Sequence, residues 1–198
     1  MKSPTSHSPV RQRILDAAAD LFYRQGYRAT GINQIIAESG VAKASFYDHF
    51  PSKDDLLRAY AIEMSRKEFE LVRQEVDAFP TARERFFGPL TILPPWFESS
   101  DYRGCPFQIM VAEAPPDSAG VREVARRHRE TFRRYLHQLT GALMVEEPTL
   151  ARADAAMLVD SYLLLFEGSI ALAVAYRESW PVERAITTLE TLLDSQRR

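Results

Sequence analysis

The chain has 198 residues, 45% hydrophobic and 26% charged, with a formal net charge of −2. That much apolar content excludes a disordered chain, and the length provides for one large or two small domains. A single cysteine, Cys105, excludes an intramolecular disulfide framework. The charge is uneven: residues 1–60 hold eight Lys/Arg against six Asp/Glu, leaving a mildly basic front and a mildly acidic remainder. The start MKSPTSHSPV is polar and broken by proline, unlike a signal peptide, and no apolar run approaches membrane-spanning length. A cytoplasmic protein with no membrane partner is expected.

Residues 1–8 lack periodicity and read as disordered, with Lys2, Arg11 and Arg13 as a basic arm. The first helix is expected from about Pro9, with Ile14, Leu15, Ala18, Leu21 and Phe22 as its apolar stripe and Gly26 at its end. Tyr27 belongs to the core behind it. Thr30 is placed as the N-cap of a second helix. Ile32, Ile35 and Ile36 recur there at helical spacing, with Ala37 small enough for a close helix crossing. Gly40 suits a left-handed turn, and Val41 plugs the core after it. Ala42, Lys43, Ala44 and Ser45 open a third short helix that continues through Phe46, Tyr47, His49 and Phe50. Helix, tight turn and helix over about residues 31–50 form the layout of a helix-turn-helix whose second helix enters the DNA major groove. Small side chains let its backbone approach base edges. Lys43 is the long donor at its start, Ser45 serves a base or a phosphate, and Tyr47 and His49 reach phosphate oxygens. Thr30 and Gly31 stand at the preceding corner. Pro51-Ser52-Lys53 stops this helix and begins the next, where Lys53 is expected to meet a phosphate.

A long fourth helix follows from about Lys53 to Ala78, with Leu56, Leu57, Tyr60, Met64, Phe69 and Val72 on its apolar side. Thr81 to about Ser99 reads as a helix interrupted by Pro89, Pro94 and Pro95. SSDYRG is a loop, and Cys105-Pro106 opens a helix to about Glu113. The next runs from about Ala119 to Leu143, capped by Asp117 or Ser118. Glu146-Glu147-Pro148-Thr149 is a turn whose acids read as a solvated surface. Residues 150–177 are apolar nearly all round, so several faces need cover. Asp160, Glu167 and Arg177 argue against a membrane span there. A last helix begins at Pro181.

The segment SGVAKASFYDHFPSKDDLL, from Ser39 to Leu57, resembles the head of the TetR family of bacterial transcriptional regulators, as do Gly26-Tyr27 and Thr30 before it. Two positions depart from that pattern: Ala42 stands for a frequent serine and Ala44 for a frequent glycine. The second adds a methyl at the groove, where apolar contact with a thymine methyl alters preference. The resemblance implies an all-α chain. Residues 9–55 form a three-helix DNA-binding head, and residues 56–198 a helical body for effector binding and dimerisation. It implies a homodimer through the last two helices, about 150–177 and 181–195, with Gly168, Ser169, Ala171, Ala173 and Ala175 permitting close approach. Two reading helices about 34–36 Å apart then fit a palindromic double-stranded operator.

It further implies an apolar effector pocket in the body, for which Phe86, Trp96, Phe97, Tyr102, Phe107, Tyr135, Tyr162 and Phe166 are candidate walls. Gln108, Glu113, His128, His137 and Glu167 are candidate anchors. A small hydrophobic effector that releases the repressor from DNA is expected. Cys105, before a helix and two residues after Arg103, is a candidate redox sensor, because a helix start and a nearby cation both favour thiolate. A body that binds small molecules without regulating anything is the alternative from another class. The four histidines are scattered, and no acid pair, nucleophile-base pair or phosphate loop is found. No catalytic residue, metal site or cofactor is therefore expected.

Overall fold

Pro9 opens the first helix at a position where its missing N–H has no intrahelical partner to lose. This computed structural model describes residues 8–115 and 119–197, so the calls on residues 1–7, Lys2 among them, and on Asp117 and Ser118 lie outside the described residues. Ten α-helices and one 3₁₀ turn are found among the described residues, with no strand. They are α1 (Pro9–Gln25), α2 (Ile32–Ser39), α3 (Lys43–His49), α4 (Lys53–Asp77), α5 (Ala82–Thr91) and α6 (Leu93–Ser99). After these come α7 (Pro106–Glu113), α8 (Ala119–Glu146), the turn Pro148–Leu150, α9 (Ala155–Tyr176) and α10 (Trp180–Gln196). The all-α expectation holds.

The helices fall into two compact units, Met1–Arg66 with Pro106–Arg126, and Lys67–Cys105 with Arg127–Arg198. The expected single cut after residue 55 is therefore not how the chain divides, because α7 and the start of α8 return to the head. Within the head, the α1 stripe Ile14, Leu15, Ala18, Leu21 and Phe22 is buried, together with Ile35, Phe46, Leu56, Leu57 and Phe107. Each of the larger of these side chains contributes about 1.5–3 kcal/mol by leaving water. Gly40, at φ 62, turns the chain between α2 and α3. Ser52 Oγ accepts from the Asp55 N–H at 3.0 Å and so caps α4. Ala37 is exposed and does not sit in a helix crossing, since the buried positions of α2 are Ile35 and Ser39.

In the second unit the proline-rich segment resolves into two helices meeting at Ile92. A capping box between Thr81 and Glu84 starts α5, and Glu146 accepts from the Ala82 N–H at 2.9 Å. Glu147 takes Arg83 at 3.2 Å and Arg197 at 2.5 Å. Both acids are structural ties, Glu146 from an exposed position as expected and Glu147 from a half-buried one. The apolar helix begins at Ala155, later than expected, where the Asp154 carboxylate accepts from the Met157 N–H. By length and composition α9 is apolar enough to cross a membrane, which corrects the reading that no run approaches that length. Here it buries Leu158, Val159, Tyr162, Ser169, Ile170 and Ala173. Its acids are paired, Asp160 with Arg133 and Glu167 with Arg129. Ser169 donates to the Leu165 and Pro181 carbonyls. Ser169 and Ala173 therefore face inward, whereas Gly168, Ala171 and Ala175 do not.

Candidate functional site

α3 is held from below by Phe46 and Phe50, which are buried with ring centroids 6.2 Å apart. That anchoring turns Ala42, Lys43 and Ala44 outward, all exposed, with Tyr47 41% exposed farther along. Tyr47 stands edge-on to Phe46 at 5.3 Å, which stiffens it while its hydroxyl end faces away from the core. Ser45 and His49 are half-buried. The helix thus offers one long cation between two methyl-sized neighbours, a shape that admits close approach of a base edge.

Two expected contacts are corrected. Thr30 is 1% exposed, and its hydroxyl donates to the Gly26 carbonyl at 2.7 Å. The N-cap of α2 is Gly31, with no side-chain cap. Thr30 closes the α1–α2 corner from inside, and its neighbour Gly31 is exposed. Lys53 donates to the Tyr27 carbonyl at 2.6 Å and lies 4.0 Å from the Tyr27 ring centroid. Desolvation lowers its pKa, against the opposing pull of Glu113 and Asp54. Its ammonium is thus held by groups of the head itself. Arg11 lies 5.2 Å over the Phe50 ring, and Arg13, though exposed, donates to the Gly40 carbonyl at 3.5 Å.

The sequence reading missed what completes this corner. The Glu113 carboxylate accepts from the Tyr27 N–H at 2.5 Å and the Arg28 N–H at 3.4 Å, and Arg28 Nε donates to the Glu113 carbonyl at 3.1 Å. Tyr27 Oη donates to Asp54 at 2.9 Å. Glu113 is therefore a brace of the head and not an effector anchor. No short motif announces it, because its partners lie 86 and 85 residues away.

The thirteen expected pocket residues are divided between the two units. Phe86, Phe97, Phe107 and Tyr162 are fully buried core. Phe86 packs edge-on to Tyr162 at 5.3 Å, and burial raises the Tyr162 phenol well above its ordinary pKa. Tyr135 lies edge-on to Phe69 at 5.5 Å, its pKa pushed up to about 12, chiefly by desolvation. Tyr102 stacks on Phe97. Phe107 and Gln108 belong to the head unit. His128 is pushed down to about 4, first by desolvation and then by Arg129. Only Trp96 and Phe166 line the cavity of about 170 Å³ in the second unit, with Glu68, Leu71, Val72, Glu75, Pro89, Ile92, Leu93 and Ile170. Aromatic residues alone do not mark a pocket, because they fill cores equally well. Glu167 is paired with Arg129 beside it, at 3.0 Å. Cys105 is 7% exposed, too enclosed for the partly open setting of a reactive thiol. No cluster of metal-ligating side chains is found among the described residues.

A family model described as bacterial regulatory proteins, tetR family, matches residues 14–60. The HTH-type transcriptional regulator LmrA of Bacillus subtilis (strain 168) is 31% identical over 193 residues, covering 95% of this chain and 98% of its own. The HTH-type transcriptional repressor DhaR of Mycobacterium sp. (strain GP1) is 25% identical over 198 residues, covering 96% of each chain. Among solved structures, SCO4454, a TetR-family transcriptional regulator from Streptomyces coelicolor, is similar with a TM-score of 0.79 at 26% identity, covering 94% of this chain and 95% of that one.

Proposed function

The chain belongs to the TetR family of bacterial transcriptional regulators, and from that premise we propose that it is a cytoplasmic repressor reading its operator with the Ala42–Lys43–Ala44 edge of α3. Regulators of this family bind operator DNA, are typically dimers and are not enzymes. The observation that carries the reading is the exposed start of α3, with Lys43 flanked by two alanines above a buried Phe46. Tyr47 supports it as a phosphate contact, and Arg13 as an exposed cation on α1.

The pairing of two copies runs through the outward stripe of α9, where Leu164 is 75% and Leu172 44% exposed. Met157, Ser161, Leu164, Gly168, Ala171 and Ala175 recur there at helical spacing, which supports a helix-on-helix contact. The effector site is the cavity lined by Trp96 and Phe166. An occupant that prefers one arrangement of the dimer shifts the population away from the spacing the operator needs.

The test is a mobility-shift titration against the DNA upstream of the protein's own gene, at several salt concentrations. Specific, salt-sensitive binding that weakens in Lys43→Ala is the expected result. Unchanged affinity and sequence preference in that variant would remove α3 from the groove.

A further inference from the structure

We propose that the body cavity takes an amphipathic organic cation, its charged head against the Glu68 carboxylate and its apolar body along Trp96 and Phe166. This deepens the effector reading and rests on it. The residues lining the cavity comprise eight apolar side chains and two carboxylates, with no Lys, Arg or His among them. The floor is apolar because α5 and α6 break at Ile92 and present Pro89, Ile92 and Leu93. Glu68 Oε2 is closed off from solvent and has no hydrogen-bond partner. The cation that acts on it, Arg129, is bonded to Glu167 at 3.0 Å.

A buried acceptor without a donor costs stability, and a charged one costs more. An ammonium or similar head supplies both the donor and the opposite charge. An anionic occupant would add a negative charge to a site that already holds Glu68 and Glu75. A neutral hydrocarbon would leave Oε2 without a partner. Trp96 and Phe166, both half-buried, add aromatic faces suited to a cation and its apolar arm.

Burial pushes the Glu68 carboxyl up to about 7, with Arg129 opposing and Glu167 adding to the rise. The charged groups facing it are Glu75 on α4, Arg129 on α8 and Glu167 on α9, and α5 and α6 contribute no titratable group to the lining. A cation selects the ionised carboxylate, so its affinity rises with pH through neutrality. A neutral ligand that accepts from the protonated carboxyl shows the reverse.

The experiment is calorimetric titration of the full chain with three probes sharing one arm: 4-phenylbutylammonium, 4-phenylbutanol and 4-phenylbutyrate, at pH 6, 7 and 8. The ammonium is expected to bind about tenfold tighter than either analogue, more tightly as pH rises, and about tenfold more weakly to Glu68→Gln. Thermal unfolding checks that this variant folds; if it does not, the pH dependence of the parent decides. An alcohol that binds as tightly as the ammonium, or an ammonium affinity indifferent to pH and to Glu68→Gln, overturns the proposal. The mobility shift separates the two readings. Cation binding through Glu68 that leaves operator DNA bound supports the ligand class and removes the effector role. Operator release by the alcohol alone keeps the effector role and overturns the ligand class.

Discussion

Lys53 ties the head together at one atom, donating to the Tyr27 carbonyl while its charge rests on the Tyr27 ring. Lys53→Ala leaves that carbonyl without its donor and is expected to cost about 1–3 kcal/mol, read as a lower urea midpoint. Its folded fraction should bind DNA with an unchanged salt slope. Lys43→Ala should do the opposite, keeping the midpoint and lowering the salt slope by about 1. Glu68 links stability to pH. The folded carboxyl keeps its proton up to about 7, whereas the unfolded chain releases it near 4.5. The folded state holds more protons between those values, so this group's contribution is full below about 4.5 and is lost as pH rises through 7. Glu68→Gln should therefore unfold at a higher temperature than the parent at pH 8 and lose that advantage by pH 4. His128 acts in the other direction: its depressed pKa gives stability that is present above about 6.5 and lost as pH falls through about 4.

At the scale of the element, the corner between α1 and α2 is set by Gly26, at φ 87. A Cβ there would lie 2.6 Å from the Glu113 carboxylate. Gly26→Ala should destabilise the head by more than about 1 kcal/mol through backbone conformation alone, and by more again through loss of the brace, measured by chemical unfolding. The helices themselves were legible in the sequence. The α1 stripe from Ile14 to Phe22, the stop at Gly26, the turn at Gly40 and the helix start near Thr81 are local signals, and local signals fix where a helix starts, stops and faces. The exposed start of α3 was legible for the same reason. Thr30, Lys53 and Glu113 were misread because each side chain is spent on a partner that spacing along one helix does not reveal. The pocket was misread because Phe86 and Tyr162 look the same in sequence whether they line a space or fill it. Glu68, on the same side of α4 as Leu71 and Val72, reads in sequence as one more surface acid.

For the whole molecule, the outward stripe of α9 leaves Leu164 and Leu172 exposed. Leu164→Asp places a charge at its centre without disturbing the buried side of the helix. Analytical ultracentrifugation should then show a shift toward monomer, and operator affinity should fall at least about tenfold because two half-sites are no longer bound together. A dimer that survives this change would move the contact elsewhere. The discontinuous head has a consequence for how the protein is made. α1, α2 and α3 leave the ribosome with the reading edge already encoded, but the carboxylate that braces their corner is not synthesised until α7. A nascent chain therefore carries a DNA-reading surface before it has a finished one. The same discontinuity bears on chimeras: a graft that cuts after α4 separates Tyr27 from its brace, so an exchangeable head must bring α7 with it.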